Sequence, residues 1–277
     1  SVAYEDRHCM FQRTKSDKKK QRFALFITAC IIAALIIVAF VGLFLQGTAE
    51  KHRDDVGGAY DLLQNVESKP SNATKQGGLA SFVGSEEQAP TVEIYLDPLC
   101  PACGQVDRIL NDTLEKMYEE GQIKIEIHPL NFLDGKSTDT YSSRVSSAIA
   151  YISEHDPEHI IKFIAKIYDE SNQPSEVNYA PVPDKEIIQW AKEAGVPSSI
   201  AKKSVDGRYV QWVTYATNYT ITRDDLIAVG KEGFATPLIR IDGNIWSMDG
   251  LSLDDLSNDF VRELTSKKSE IGNSIRN

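Results

Sequence analysis

One run of residues limits what this chain can be. Residues 23–45 read FALFITACIIAALIIVAFVGLFL, 23 residues without a charge. At about 1.5 Å per residue they make a helix roughly 34 Å long, enough to cross a hydrocarbon core of about 30 Å. A core helix of a soluble protein keeps a polar face, and this run has none. A cleaved leader has a shorter apolar region and a small-x-small site, which Gly47-Thr48-Ala49 fits poorly. The segment reads as one retained transmembrane helix in contact with lipid.

Charge gives that helix a direction. Residues 1–22 carry seven Lys and Arg against three acids, net +4, whereas the rest of the chain is net −14. Only Lys51 and Arg53 follow the span closely. The positive-inside rule then expects a plasma-membrane protein with a cytoplasmic basic arm at 1–22 and an extracytoplasmic C-terminal part. The arm can also touch anionic head groups, though fixing topology accounts for it. A net charge of −10 argues against a nucleic-acid partner, which needs a basic footprint. Four cysteines in 277 residues exclude a disulfide-stapled miniprotein.

Beyond the span, residues 46–90 are polar and glycine-punctuated. They read as an extracytoplasmic tether, flexible except for a short helix at 60–66 and a first strand at 78–83. The globular domain is expected over 91–277. Strands are predicted at 91–96 and 122–130, with a helix at 102–119 between them, short enough for a parallel βαβ crossover. Helical periodicity recurs at 138–153, 158–169, 185–194, 198–205 and 208–219, and can continue over 224–229. Strands at 238–241 and 244–248 flank Asp242-Gly243, a two-residue hairpin signal, and a helix at 253–266 follows.

The chemistry is in Cys100-Pro101-Ala102-Cys103, where a strand ends and a helix begins. Pro101 suits the first helical turn because it has no N–H to leave unpaired there. A thiol at a helix N-terminus faces free backbone N–H groups and the positive end of the dipole. Both favour thiolate, so Cys100 should be more acidic than a free thiol at about 8.5. Cys103, one turn on, should be more buried and less acidic. The pair can close a short-loop disulfide in which Cys100 exchanges and Cys103 resolves.

Two bland readings compete. Half a zinc site needs two more ligands, but Cys9 lies in the arm and Cys30 in the span. A copper site of Cys100, Cys103 and His128 requires His128 to approach the motif. We expect no metal and no cofactor; the chain has no glycine-rich phosphate loop either. Asp97-Pro98-Leu99 makes the turn into the motif, and Asp97 is read as a turn or capping residue with no role in proton transfer. Thr236-Pro237 precedes the hairpin; alone it reads as a turn proline or a cis peptide opening an edge strand.

Taken together, the stretches VEIYLDPLCPAC and FATPLIRIDG, with the helical run between them, resemble the thioredoxin superfamily in its DsbA-like branch. YSSRVSSAIAYI and the run from Asn172 to Val196 resemble helical-insert sequences of bacterial membrane-anchored members. The resemblance covers about 91–266. It implies an α/β thioredoxin-like fold with an inserted helical subdomain at about 137–232, preceded by one N-terminal transmembrane helix. It also implies that Cys100 is the exposed nucleophile and Cys103 the resolving thiol. Thr236-Pro237 would be a cis peptide against the disulfide, with the Thr236 backbone binding extended substrate. Pro101 and Ala102 would tune the potential. Many relatives carry a buried acid six residues before the first cysteine; here that residue is Ile94.

The function so implied is a membrane-anchored, extracytoplasmic thiol–disulfide oxidoreductase acting on cysteine-containing envelope or secreted proteins. Its direction as oxidase, reductase or isomerase stays open. No second thiol motif is present, so an external redox partner is required. The alternative is an accessory or assembly subunit of a multi-subunit, for instance respiratory, membrane complex that keeps the fold without the reaction. Sequons at Asn72, Asn111 and Asn218 are read as chance, and Asn111 falls in the motif helix.

Overall fold

The computed structural model describes residues 2–82 and 88–274; the outer edges of the expected arm, first strand and last domain lie outside the described residues. The chain falls into two compact units, 1–55 and 56–277. Helix α1 runs Val2–Gln64 and supplies all the described structure of the first unit. It is long and apolar enough to cross a membrane. Its Leu35, Ile37, Phe40 and Leu43 are all more than 60% exposed, an apolar surface suited to lipid rather than water.

The tether departs from expectation. Residues 46–64 are helical, and the pair Gly57-Gly58 does not break the helix. Within the second unit, Val56, Ala59, Tyr60 and Leu63 pack on the apolar core, which offsets the cost of two glycines. Beyond the helix the chain is fastened rather than free. Asn72 Nδ2 donates to Ser153 Oγ at 2.9 Å, and Thr74 Oγ1 donates to Glu126 at 2.6 Å.

The second unit is built on one five-stranded mixed sheet in the order β1-β3-β2-β4-β5. The strands are β1 (Leu79–Ser81), β2 (Thr91–Leu96), β3 (Lys124–Pro129), β4 (Leu238–Ile241) and β5 (Asn244–Ile245). β2 lies parallel to β3, joined through α2 (Pro101–Glu119), and antiparallel to β4. Strand alternation sorts the side chains by face. Ile94, Leu96 and Ile239 point to α2 and α4, around one apolar cavity. Glu93, Tyr95 and Arg240 lie on the other face. There Arg240 Nη1 is 3.2 Å from Glu93, and Tyr95 joins a small cluster with Leu130, Leu226 and Leu238.

Between β3 and β4 come α3 (Tyr141–His155), α4 (Ile160–Tyr168), α5 (Asp184–Glu193), α6 (Ser198–Ser204) and α7 (Val210–Ile221). The helix expected at 224–229 is reduced to one 3-10 turn, Asp224–Leu226, after which Ile227 is extended and Gly230 has φ 79°. The hairpin forms as its sequence requires, with positive φ at both Asp242 (48°) and Gly243 (80°). Its second strand is two residues long instead of five, because Trp246 turns inward and its indole donates to Asp259 at 2.8 Å. Helix α8 (Leu253–Ser274) completes the described chain.

Candidate active site

The end of β2 delivers the motif to the start of α2. Asp97 O accepts the Cys100 N–H at 2.9 Å, which closes the turn. Cys100 is the N-cap of α2, with φ −69° and ψ 116°, and Pro101 occupies the first turn. Its sulfur accepts the Cys103 N–H at 3.4 Å, as a capping oxygen would. Pro101 and Ala102 are exposed beside it.

Both cysteines are free thiols. Cys100, expected to be exposed, is 7% exposed, and Cys103 is 3% exposed. The shield is the loop before β4: the Thr236-Pro237 peptide is cis, and the Cys100 thiol donates to Thr236 O at 3.6 Å. Pro237 lines the cavity that holds Cys103. The structure thus brings Cys100, Cys103, Thr236 and Pro237 together, from segments about 135 residues apart.

The two thiols differ in acidity. Cys100 is pushed down to about 6, first by the hydrogen bond from the Cys103 thiol and then by backbone N–H groups at the helix start, against the opposing effect of burial. Burial pushes Cys103 well up, and the neighbouring Cys100 adds to the effect. One proton shared between two sulfurs therefore stays on the inner one, and the outer one carries the charge.

Three other groups emerge that the motif did not disclose. Asp97 makes the expected turn, with Leu99 N–H donating to Oδ1 at 3.0 Å. It is also fully buried, and accepts from Ser142 Oγ at 2.5 Å and Leu133 N–H at 3.0 Å. Burial raises its carboxyl to about 7 despite these donors. Asp107, one helical turn beyond Cys103, lines the same cavity and is likewise raised by burial to about 7. Tyr168, fully buried at the end of α4, donates its hydroxyl to Asp97 O at 2.9 Å. Asp97 had a signal in the sequence only as a turn residue and Asp107 in its i,i+4 spacing from Cys103; Tyr168 had none.

His128 does not approach the cysteines. It pairs with Tyr95 across the sheet, stacks on that ring at 3.9 Å, and lies 3.1 Å from Glu126, on the face away from the cavity of Cys103. The copper reading therefore lacks its third ligand. Among the described residues no group of three or more His, Cys, Asp or Glu gathers as a metal site. Asn111 of the second sequon is 6% exposed and donates to Ile161 O, so that sequon is closed to a glycan. Trp212 and Trp246 are core residues.

Comparison with known proteins agrees with this geometry. The thioredoxin family model, Thioredoxin_4, matches residues 78–252. A serine/threonine-protein kinase of Mycobacterium tuberculosis, PknE, is 30% identical over 146 residues, which is 51% of this chain and 25% of the kinase. The chain thus spans about a quarter of the length of that curated relative. Among solved structures, reduced DsbA from M. tuberculosis superposes with TM-score 0.52 at 21% identity, over 66% of this chain and 98% of that one. MdbA, a thiol-disulfide oxidoreductase from Actinomyces oris, gives TM-score 0.54 at 17% identity, over 74% and 95%. These last two are likenesses of fold. By its sequence from 78 to 252, and in keeping with the cysteine pair set against a cis-proline loop, the chain belongs to the thioredoxin family.

Proposed function

We propose that this chain is a membrane-anchored thiol–disulfide oxidoreductase that donates the Cys100–Cys103 disulfide to cysteine-containing proteins outside the cytoplasm. The observation that carries the reading is the cysteine pair at the start of α2 set against the cis Thr236-Pro237 loop, with Cys100 lowered to about 6 and Cys103 raised. A thiolate stabilised in the reduced form favours that form as product, which supports donation of the disulfide.

The reaction runs in two exchanges. A substrate thiolate attacks Cys100 Sγ of the disulfide; the Cys100–Cys103 bond breaks, and Cys103 leaves and takes up a proton. A second substrate thiolate then attacks the substrate sulfur of the mixed disulfide. Cys100 leaves as a thiolate, which its low pKa makes easy, and the substrate holds the new disulfide. The two electrons gained by the pair pass to an external redox partner. Thr236 O, 3.6 Å from Cys100, supplies the backbone edge for an extended peptide. Phe132, 40% exposed and edge-on to Phe234 at 6.4 Å, gives that peptide an apolar rim.

The basic arm and the uncharged run support a single span with the domain outside, the oxidising side. The test is a trap in native membranes. In Cys103→Ala the Cys100 thiolate can attack a substrate disulfide, displacing one substrate thiolate, and no Cys103 is present to release the other, so substrates stay bound to Cys100 through a disulfide. The Cys100→Ala, Cys103→Ala double variant is the control. Reductant-sensitive adducts in the single variant alone are the expected result. The same noncovalent partners in both, with no adduct, overturn the exchange reading in favour of a structural subunit.

A further inference from the structure

The loop that follows α4 reaches back to the motif. Gln173 Nε2 donates to Cys100 O at 2.9 Å and to Pro98 O at 3.4 Å. The same Cys100 O accepts the Gly104 N–H at 3.2 Å. Gln173 is itself anchored, its N–H donating to Asp169 O at 2.9 Å at the end of α4. One carboxamide thus joins the residues on both sides of Leu99 to the inserted helices.

Gly104, the residue after the motif, bears on the same contact. It is buried, on a helical turn where alanine is the better helix former by about 1 kcal/mol. A Cβ built there falls 2.1 Å from Gln173 Oε1, a distance no carbon–oxygen contact allows. It also falls 2.9 Å from Arg108 Nη1, which donates to Tyr168 O at 2.7 Å. Helix propensity is given up at Gly104, and the space so left is filled by Gln173.

We propose that Gln173 is a positioning residue for Cys100, and that Gly104 is glycine to admit its carboxamide. The inference rests on the oxidoreductase reading above and adds to it a control point outside the motif. The physical effect has two parts. Gln173 Nε2 places the positive end of its N–H dipoles on the backbone carbonyls of Pro98 and Cys100, beside the residue whose sulfur gains charge. The same bonds fix the backbone of Cys100 in the N-cap conformation that aims its sulfur at the Cys103 N–H. Removing the donor therefore destabilises the thiolate relative to the thiol. The titratable groups facing Cys100 are Cys103 on α2, Asp97 in the turn and Tyr168 on α4, and none is altered by changing Gln173.

The experiment uses the full chain in detergent micelles. Cys100 alkylation by iodoacetamide is followed against pH by peptide mass spectrometry, and the Cys100–Cys103 equilibrium is measured against glutathione. Gln173→Met keeps most of the volume and removes the donor. It is expected to move the alkylation midpoint upward and to weaken the disulfide as an oxidant about fivefold, the value of one hydrogen bond. Gln173→Glu, which places a carboxylate against the two carbonyls, should move the midpoint further the same way, and serves if the Met variant does not fold. Gly104→Ala alone should give a similar shift, whereas Gly104→Ala added to Gln173→Ala should change nothing more.

Unchanged midpoint and glutathione equilibrium in the Gln173 variants, with normal exchange by the wild type, overturn the inference alone. Additive effects in the Gly104 and Gln173 pair overturn the role given to Gly104. A wild-type Cys100 that titrates as an ordinary thiol and does not exchange overturns the oxidoreductase reading instead.

Discussion

Cys103 and Asp107 stand one turn apart on α2 and line the same apolar cavity. Asp107 also borders an outer cleft with Arg108 and Asp169, so the wall it shares with Cys103 continues toward the surface. Its carboxyl, raised by burial to about 7, gains and loses a proton near neutral pH. When the pair closes again, Cys103 must lose a proton to attack Cys100 in a mixed disulfide and release the bound thiol, and burial holds that proton on. In the wild type the resolution rate should rise as pH climbs through about 7. In Asp107→Asn that inflection should vanish and the rate at neutral pH should fall at least about tenfold. Stopped-flow release from a preformed Cys100–glutathione adduct measures it. An inflection retained in the Asn variant excludes Asp107.

The acidity of Cys100 also predicts how stability depends on pH. In the reduced protein its folded pKa, about 6, lies below the ordinary value of 9.0. A depressed acid stabilises the folded state fully above the ordinary value, and this contribution declines as pH falls and is gone below about 6. The oxidised protein has no such thiolate. The advantage of the reduced over the oxidised form should therefore grow from pH 6 to pH 9, by on the order of 2 kcal/mol after allowance for solvent screening. Urea denaturation of both forms at several pH values tests it. An advantage that is flat or shrinks over this range contradicts the assignment.

Much of this was readable from residues 91–130 and 234–245, and the reason is local. The CPAC cap, the alternation of β2 and β3 and the Asp242-Gly243 turn depend on neighbours in the chain. Gln173 beside Cys100 depends on how α4 returns to the motif, and no periodicity records it. The same holds for residues 46–64, where composition suggested a flexible tether. Tyr60 and Leu63 find a core to pack on, and that contact decides for helix. Asp97 was legible as a turn residue, but its burial comes from Ser142 on a helix 45 residues away.

The uncharged run predicts where the protein fractionates. Removing residues 1–45 should move the domain from membrane to soluble fractions, since the exposed Leu35, Phe40 and Leu43 belong to the apolar surface removed and not to the core. In intact cells the basic arm should be protected from added protease and the domain from Thr91 onward should be cut or labelled. Protection of the domain, with exposure of the arm, would reverse the orientation.

Asp97 predicts a further loss of stability. Its carboxylate accepts from Leu99 N–H, Leu133 N–H and the Ser142 hydroxyl, all at a fully buried position. Asp97→Ala leaves those donors without an acceptor, at about 1–3 kcal/mol for each buried group, so the protein should lose about 3 kcal/mol or more. Asp97→Asn keeps the shape and one acceptor oxygen and should lose less. The pH dependence separates charge from packing. Burial raises the carboxyl from 3.8 to about 7, so the folded state holds a proton that the unfolded state has released. Stability of the wild type relative to Asp97→Asn should fall as pH rises between those values. Urea midpoints at pH 4.5 and 7.5 give the comparison. If the gap between the two proteins is the same at both pH values, the carboxyl is not titrating in the fold, and its hydrogen bonds alone account for the loss.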